Sequence, residues 1–391
     1  MSSTTQLALI NGRIVQPDQV IETGHIIIDQ GKIASVSGTA RTSTLETIDL
    51  SGDTVYPGFI DAHIHGSAGI DVMDASVDAL GQVSAFLITQ GVTSWLPTLV
   101  PAADDEYRSA VAAIDKASAD ANDGARIVGL HYEGPFVNSA QCGALHREHF
   151  KTYSDPGDLD RLAVPQNAPV KMITLAPEIE GGIELVSELQ RRGWVVSIGH
   201  TRADESVLDQ AALAGARHMT HFMNAMPQLH HRQPGPVGWG LSRDDVTCDI
   251  IADGIHLHPL TLRMLMRAKG PGGLSLISDA IAAAGKGDGD YQIWGETISV
   301  KEGRTSNAAG NIAGSVISML DAVRMMRSLG ASEVETARMA ATNPARLLGV
   351  DHECGSIEQG KRADLVAIDE HGEVKLTIVG GEIVYHPRDL H

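Results

Sequence analysis

Cysteine is scarce in this chain of 391 residues. Only Cys142, Cys248 and Cys354 occur, an odd number at wide spacing. A disulfide framework needs paired cysteines, so this set indicates reduced thiols of the kind that cytoplasmic proteins keep. The sequence therefore excludes a small fold held together by disulfides.

Long apolar runs and excess positive charge are also missing. No uninterrupted apolar stretch is long enough to cross a bilayer, and the first residues lack the basic and apolar regions of a signal peptide. The formal net charge of −19 argues against nucleic acid or an anionic membrane as a partner, because both attract basic surfaces. We expect a cytoplasmic protein in which an anionic substrate would need locally placed Arg or His side chains.

Aromatic side chains are few at 4%, so the core must rest on aliphatic residues and methionine. At both chain ends, short β-type segments alternate with turn signals such as Asn11-Gly12 and Gly380-Gly381. Neither end alone offers enough strands to bury a face, so we predict that the two ends combine into one small β-sandwich domain. The alternative is two unrelated β-extensions.

The middle of the chain repeats a rhythm of strand, polar loop and helix, which is typical of an α/β fold. Eight strands are predicted: Gly58–His65, Thr93–Pro97, Ile127–Glu133, Val170–Ala176, Val195–His200, His218–Phe222, Thr247–Asp253 and Leu274–Asp279. Helices are predicted at Ser76–Gln90, Asp104–Ala121, Gly182–Arg192, Asp204–Ala214 and Pro259–Lys269, with closing helices in Ser315–Gly330 and Ser332–Gly349. This count predicts a (β/α)8 TIM barrel. An open doubly wound sheet is the main rival, but no Gly-rich nucleotide loop follows the first strand.

These patterns divide the chain into three parts. We assign residues 1–54 and 350–391 to the two parts of the β-domain, and residues 55–349 to the barrel. The segment Tyr291–Arg304 breaks the barrel rhythm and alternates like a hairpin with a turn at Lys301-Glu302-Gly303, which predicts an insertion after the last barrel strand.

Polar residues of metal-binding type recur where the predicted strands end. They come from five strands: His63 and His65, Glu133, His200, His221 and Asp279. In a barrel of this kind the carboxyl ends of the strands face one another across one mouth, where catalytic groups collect. Each residue alone is a weak signal, and near His221 either His218 or Asn224 could serve instead. Taken together they predict a metal site.

The donor set indicates which metal the site would hold. Four imidazoles and two carboxylates suit a divalent transition ion, best Zn²⁺, and are enough for one or two ions with Glu133 as a bridge. Such an ion lowers the pKa of a water molecule, and Asp279 could take the proton from it. The sequence therefore predicts hydrolysis of a carbonyl derivative.

Short motifs extend over nearly the whole chain. They are Pro57–Gly66, Glu133–Phe136, Leu175–Glu178, Gly199–Thr201, His221–Met226, Asp253–His256, Ser278–Ala280 and Gly355–Leu365. By these motifs the chain resembles the amidohydrolase superfamily, and within it the N-acetylglucosamine-6-phosphate deacetylase family. The first and last motifs are general to the superfamily, whereas the Glu-Gly-Pro-Phe and Asn-Ala-Met segments are specific to the deacetylases.

The resemblance implies hydrolysis of the acetamide of N-acetyl-D-glucosamine 6-phosphate, to glucosamine 6-phosphate and acetate, by a homodimer. It implies metal ligands at Glu133, His200 and His221, a second-metal pair at His63 and His65, a catalytic acid/base at Asp279, phosphate binding by Asn224, the Ala225 backbone and Arg232, and a substrate contact at His256. Arg232 has a physical rationale as well, because an acidic protein that binds a sugar phosphate needs a local guanidinium.

The chain departs from the family pattern in one loop. The family places a histidine that polarises the acetamide carbonyl after Glu-Gly-Pro, and His146 lies one residue later than that spacing. His146 is our catalytic candidate for this role, the alternative being a surface-loop histidine. Lys171 could in principle carry the bridging carbamate of other superfamily members, but Glu133 already fills that role in the deacetylase pattern, so we interpret Lys171 as structural.

Three other functions stay open at this stage. The substrate could be another N-acetylhexosamine phosphate, such as the galactosamine epimer, or an N-acyl amino acid. The third is a non-catalytic scaffold, which would be expected to lose metal ligands that this sequence retains.

Overall fold

The computed structural model describes residues 6–38, 45–120 and 123–387. The β-strands are β1 (Leu7–Val15), β2 (Val20–Asp29), β3 (Lys32–Ser37), β4 (Glu46–Asp49), β5 (Thr54–Pro57), β6 (Phe59–Ile64), β7 (Gly66–Ser67), β8 (Ile70–Asp71), β9 (Val92–Leu99), β10 (Arg126–Ile127), β11 (Gly129–Glu133), β12 (Val170–Leu175), β13 (Val195–Ile198), β14 (His218–Met219), β15 (Thr247–Ile251), β16 (Leu274–Ile277), β17 (Gly289–Ile293), β18 (Glu296–Lys301), β19 (Arg304–Ser306), β20 (Leu365–Ile368), β21 (Val374–Val379) and β22 (Glu382–Tyr385). The α-helices are α1 (Val77–Ile88), α2 (Asp104–Ala119), α3 (Gly182–Arg191), α4 (Glu205–Ala214), α5 (Gly235–Ser242), α6 (Pro259–Lys269), α7 (Met319–Ser328), α8 (Glu333–Ala337) and α9 (Asn343–Leu347).

Strands from the two chain ends share one sheet. Its order is β22-β21-β20-β5-β1-β2-β3, with β4 also paired to β1. Alternate residues of β2, among them Ile26 and Ile28, turn inward and pack with Leu365 and Ile378 from the C-terminal part. The joint β-domain is therefore confirmed, and the boundaries 1–54, 55–349 and 350–391 stay a prediction.

The barrel is a parallel sheet that closes on itself. Its strands follow the order β6-β9-β11-β12-β13-β14-β15-β16, with β10 as an extra partner of β9. A parallel bridge between Ile64 and Ala280 joins the first strand to the segment after the last. There the Asp279 N–H donates to the His63 carbonyl at 2.9 Å and the His65 N–H donates to the Ala280 carbonyl at 2.8 Å. The (β/α)8 barrel is confirmed, and the open doubly wound alternative is excluded because it would leave two free edges.

Most predicted helices form close to their predicted bounds, because capping residues that can be recognised in the sequence mark where they begin. The Ser76 hydroxyl accepts from the Ala79 N–H at the start of α1, and the Asp204 carboxylate accepts from the Val207 N–H at the start of α4. The predicted second helix reached Ala121, which lies outside the described residues. Helix α5 was missed because three of its residues are glycines, which oppose helix formation.

Several predicted strands continue too far along the chain. The one predicted to end at Asp253 ends at Ile251. Those predicted to end at His200, Phe222 and Asp279 end at Ile198, Met219 and Ile277. At these points the backbone leaves the extended conformation, with left-handed φ of 48° at His200, 31° at His221 and 50° at Asp279.

The insertion after the last barrel strand is a three-stranded meander rather than a single hairpin. The predicted turn at Glu302-Gly303 joins β18 to β19, but a second turn at Trp294-Gly295 joins β17 to β18. Both residues of that second turn have positive φ, 53° and 78°, as tight two-residue hairpins require.

In the part of the chain that the structure describes, every helix is too short or too polar to cross a membrane.

The two isoleucines Ile378 and Ile383 test the joint β-domain. They are register partners on β21 and β22, but Ile378 is fully buried and Ile383 is 40% exposed. We expect Ile378→Ala to lower the free energy of unfolding by about 2–5 kcal/mol, because it opens a cavity against residues from the N-terminal strands. Ile383→Ala is the matched control and should cost under about 1 kcal/mol, as exposed substitutions do. Equal losses in urea denaturation would contradict the packing described.

Candidate metal centre

Six buried polar side chains come together at the carboxyl ends of the barrel strands. His63 and His65 lie on or just after β6, and Glu133 is the last residue of β11. His200, His221 and Asp279 each follow a strand by two residues. None of the six is more than 6% exposed, so all six predicted residues reach one site.

The ligand atoms form two groups that share one carboxylate. One group is His63, His65 and Glu133, the other is Glu133, His200 and His221, and within each group the atoms lie within 4.8 Å of one another. Glu133 Oε1 lies 3.0 Å from His200 Nε2 and 2.9 Å from His221 Nε2, while Glu133 Oε2 lies 3.4 Å from His65 Nε2. Glu133 is thus placed to bridge two positions.

Asp279 lies beside the His63–His65 pair. Its Oδ1 atom is 3.3 Å from His63 Nε2 and 3.2 Å from His65 Nε2. Its backbone is fixed on both sides, because its N–H donates to His63 and its carbonyl accepts from Ser315 N–H at 2.7 Å. The carboxylate can therefore approach both an ion and a substrate held at the barrel mouth.

Three of the six site residues, His200, His221 and Asp279, have left-handed backbone, as do the nearby Met223, with φ of 75°, and Ala225, with φ of 50°. Such conformations cost a non-glycine residue about 1–3 kcal/mol each and persist mainly at functional sites. The strain turns the side chains after each strand into the barrel mouth.

Backbone carbonyls fix the proton position on two of the imidazoles. His65 Nδ1 donates to the Thr98 carbonyl at 3.1 Å, and His200 Nδ1 donates to the Gln141 carbonyl at 2.8 Å. Because the proton is held on Nδ1, the Nε2 lone pair faces the centre of the cluster, as a metal ligand requires.

The electrostatics of the cluster favour a bound cation. Burial would raise the pKa of Glu133, but the charge of His63 and hydrogen bonds from His200 and His221 outweigh it and hold that pKa well below its usual range. Burial lowers the pKa of His63 well below its usual range. Burial opposes protonation of His65 as well, yet the hydrogen bond to Asp279 and the charge of Glu133 raise its pKa to about 9. The carboxylates thus draw positive charge into a buried site, and a divalent transition ion with neutral imidazole ligands supplies it.

The predicted substrate-binding residues lie after β14 and β15. Asn224 is held by its own turn, with Nδ2 donating to the His221 carbonyl at 3.1 Å. His256 is oriented by Asp253, whose Oδ2 accepts from His256 Nδ1 at 2.6 Å. Arg232 is exposed and contacts His231 Nε2 at 2.8 Å. Of the three, Asn224 thus contacts the turn at His221 directly.

His146 is not brought into the cluster by any contact among the described residues. Its Nδ1 lies 3.3 Å from Glu148 Oε1, and its side chain is 34% exposed. It lines a cavity of about 720 Å³ together with Asp71 and Trp294. Its catalytic role stays a prediction.

His218, His258 and Lys171 have partners outside the ligand groups. His218 pairs with Asp249 at 3.0 Å, and His258 caps α6. Lys171 Nζ donates to the Arg192 carbonyl at 3.0 Å and lies 5.7 Å from the Trp194 ring. His221 rather than His218 therefore joins the cluster.

Several residues with contacts at this site were not predicted as site residues. One is His131, whose ring packs edge-on against that of His63 with centroids 4.7 Å apart. Thr98 and Gln141 contact the imidazoles through backbone carbonyls, and such contacts cannot be predicted from the residue type. Trp294 packs edge-on against His65 with ring centroids 5.3 Å apart. Glu178 binds the turn that follows His200, and its place in the Leu175–Glu178 motif was the one signal available.

The comparisons with known proteins agree with this site. A model of the amidohydrolase family matches residues 54–384. The chain is 39% identical to an N-acetylglucosamine-6-phosphate deacetylase of Bacillus subtilis over 95% of each chain, and 34% identical to an N-acetylgalactosamine-6-phosphate deacetylase of Escherichia coli O157:H7 over 95% of this chain and 97% of that one.

A solved structure shares the whole architecture. It is a substituted N-acetyl-D-glucosamine-6-phosphate deacetylase of Mycobacterium smegmatis in complex with N-acetyl-D-glucosamine-6-phosphate. Its TM-score is 0.89 at 30% identity, with 97% of this chain and 99% of that chain covered. Fold, metal-binding cluster and sequence relatives converge on one conclusion: the chain belongs to the amidohydrolase family.

Proposed function

We propose that this protein is a metal-dependent hydrolase that converts N-acetyl-D-glucosamine 6-phosphate to glucosamine 6-phosphate and acetate. The observation that carries the proposal is Glu133, shared between two histidine pairs and facing Asp279 across the barrel mouth. The relatives that this chain matches over nearly its full length are named for this activity or for its galactosamine counterpart. A non-catalytic scaffold would have no need of so complete a set of buried ligands.

The metal would be held by Glu133, His200 and His221, and a second ion by His63, His65 and Glu133. When bound, a divalent transition ion lowers the pKa of a water molecule and polarises a carbonyl oxygen. We propose Zn²⁺, because imidazole-rich sites with a carboxylate suit it. The retained His63–His65 pair supports two ions in each chain.

Asp279 carries the proton in the proposed reaction. Its carboxylate accepts a proton from the water that attacks the acetamide carbon, and the C–N bond then breaks as Asp279 returns that proton to the departing amine nitrogen. Backbone hydrogen bonds hold Asp279 in place, and the contacts of Oδ1 with His63 Nε2 and His65 Nε2 orient the carboxylate. His146 is proposed to polarise the acetamide oxygen.

The phosphate is proposed to bind to the strained segment after His221. Backbone that alternates in and out of the left-handed region can aim successive N–H groups at an anion, and positive φ at His221, Met223 and Ala225 gives this segment that character. Asn224 and Arg232 supply donors, and His256, fixed by Asp253, supplies a further contact.

Several finer properties belong to the same proposal. A cytoplasmic location is supported by three free cysteines, and a homodimer by the family resemblance alone. The galactosamine relative makes the C4 epimer the second candidate substrate, and turnover of the two sugar phosphates measured side by side separates them.

Asp279→Asn tests the proton-transfer role. The amide keeps the shape of the side chain but cannot accept a proton, so we expect kcat to fall by about 10²–10⁴-fold on metal-loaded protein. Acetate release from N-acetyl-D-glucosamine 6-phosphate is the measurement. The control is Asp288→Asn, an exposed aspartate of the insertion, which should retain full activity. Absence of turnover in the unsubstituted protein, or full turnover in Asp279→Asn, would contradict the assignment.

Arg232→Ala tests the phosphate site. Loss of a charge-assisted hydrogen bond costs about 1.5–3 kcal/mol, so kcat/KM for the phosphorylated substrate should fall by about 10- to 100-fold. Unphosphorylated N-acetylglucosamine is the internal control, because its weak turnover should not change. An equal loss of kcat/KM on both substrates would show that Arg232 does not bind the phosphate. No loss of kcat/KM on either substrate would favour an N-acyl amino acid as the substrate.

A further inference from the structure

Glu178 ties together two loops that border the proposed metal centre. It follows β12, a barrel strand that supplies none of the predicted ligands. Its Oε1 accepts from Asn138 Nδ2 at 2.8 Å and from the Arg202 N–H at 2.6 Å. Its Oε2 accepts from the Thr201 hydroxyl at 2.5 Å. One carboxylate therefore joins the segment that begins at Asn138 to the residues directly after His200.

The segment 138–150, which we name the cover loop, lies against the His200 ring. The Asn138 N–H donates to the His200 carbonyl at 3.1 Å. Gln141 supplies the carbonyl that accepts from His200 Nδ1 at 2.8 Å. A methyl group added at Gly143 would lie 3.6 Å from His200 Cε1, which shows how closely the loop approaches the ring.

We propose that Glu178 is a positioning residue that fixes the metal-ligating form of His200. It holds the cover loop and the His200 turn at a fixed separation, so that the Gln141 carbonyl keeps the imidazole proton on Nδ1. Nε2 is then left as a lone pair directed at Glu133 Oε1, 3.0 Å away. The inference rests on the proposed metal-dependent function.

The contacts of Glu178 favour a role in positioning His200 over a role that only stabilises the cover loop. Two of the three donors belong to Thr201 and Arg202, next to the ligand, and the third opens the loop that carries the Gln141 carbonyl. Partners of this kind around a metal ligand are worth about 10- to 100-fold in metal affinity or activity. Glu180, two residues further along the same loop, is exposed and offers a matched control.

Zn²⁺ affinity measured by chelator competition tests the proposal on the full chain. Glu178→Ala should raise the Zn²⁺ dissociation constant by about 10- to 100-fold, and Glu180→Ala should leave it unchanged. Glu178→Gln should retain most of the affinity. Its oxygen can still accept from Asn138 and Arg202, and its amide can donate to the Thr201 hydroxyl, which acts in either direction.

The unfolding midpoint of the metal-free protein separates positioning from plain loop stability. A lower midpoint in Glu178→Ala with unchanged Zn²⁺ affinity would overturn the proposal. Should Glu178→Ala fail to fold, Asn138→Ala removes the loop-side donor to Glu178, together with the hydrogen bond that Asn138 Oδ1 accepts from the Ala140 N–H at 2.9 Å. It is expected to weaken Zn²⁺ binding in the same direction, and unchanged affinity there overturns the proposal as well. If the unsubstituted protein binds no Zn²⁺, the proposed metal-dependent function itself fails, which is a different outcome.

Discussion

The shared carboxylate of Glu133 is the interaction on which the rest of the site depends. Four buried imidazoles converge around it, with His200 Nε2 and His221 Nε2 only 3.1 Å apart. A cation between these nitrogens and the bridging carboxylate would satisfy lone pairs that otherwise face one another in a buried site. Because Glu133 ends the third barrel strand, closure of the barrel brings the ligands from the other strands to it.

Strain and outer contacts give the cluster its precision. His200, His221 and Asp279 have left-handed backbone two residues beyond the ends of three strands, where the chain turns and brings their side chains to the barrel mouth. Carbonyls of Thr98 and Gln141 then set which nitrogen of His65 and His200 carries the proton. The barrel contributes a rigid frame, and the loops around its mouth determine how each ligand is aimed.

Much of this arrangement could be predicted from the sequence, because it is carried by residue types at regular positions. The alternation of strands and helices predicted the barrel, and metal-binding side chains at strand ends predicted the cluster. The turn at Trp294-Gly295 was missed because tryptophan rarely occupies the left-handed region. Helix α5 was missed because its three glycines have low helix propensity, so its sequence does not indicate a helix.

Other features could not be predicted for a physical reason. Gln141 and Thr98 orient the imidazoles through backbone carbonyls, which every residue type has, although the Thr98 hydroxyl also accepts from the Ile64 N–H at 3.0 Å. The three acceptor contacts of Glu178 depend on loops that meet only in the folded chain. His146 was chosen from loop spacing alone, and the spacing is where this chain departs from the family.

The central claim is that Glu133 holds metal between two histidine pairs, and anomalous diffraction from crystals grown with Zn²⁺ tests it most directly. The account predicts a peak within about 2.0–2.2 Å of a Glu133 oxygen and of His200 and His221 Nε2. A second peak is predicted between Glu133, His63 and His65. Anomalous density confined to other parts of the molecule, with Glu133 free of metal, would contradict it.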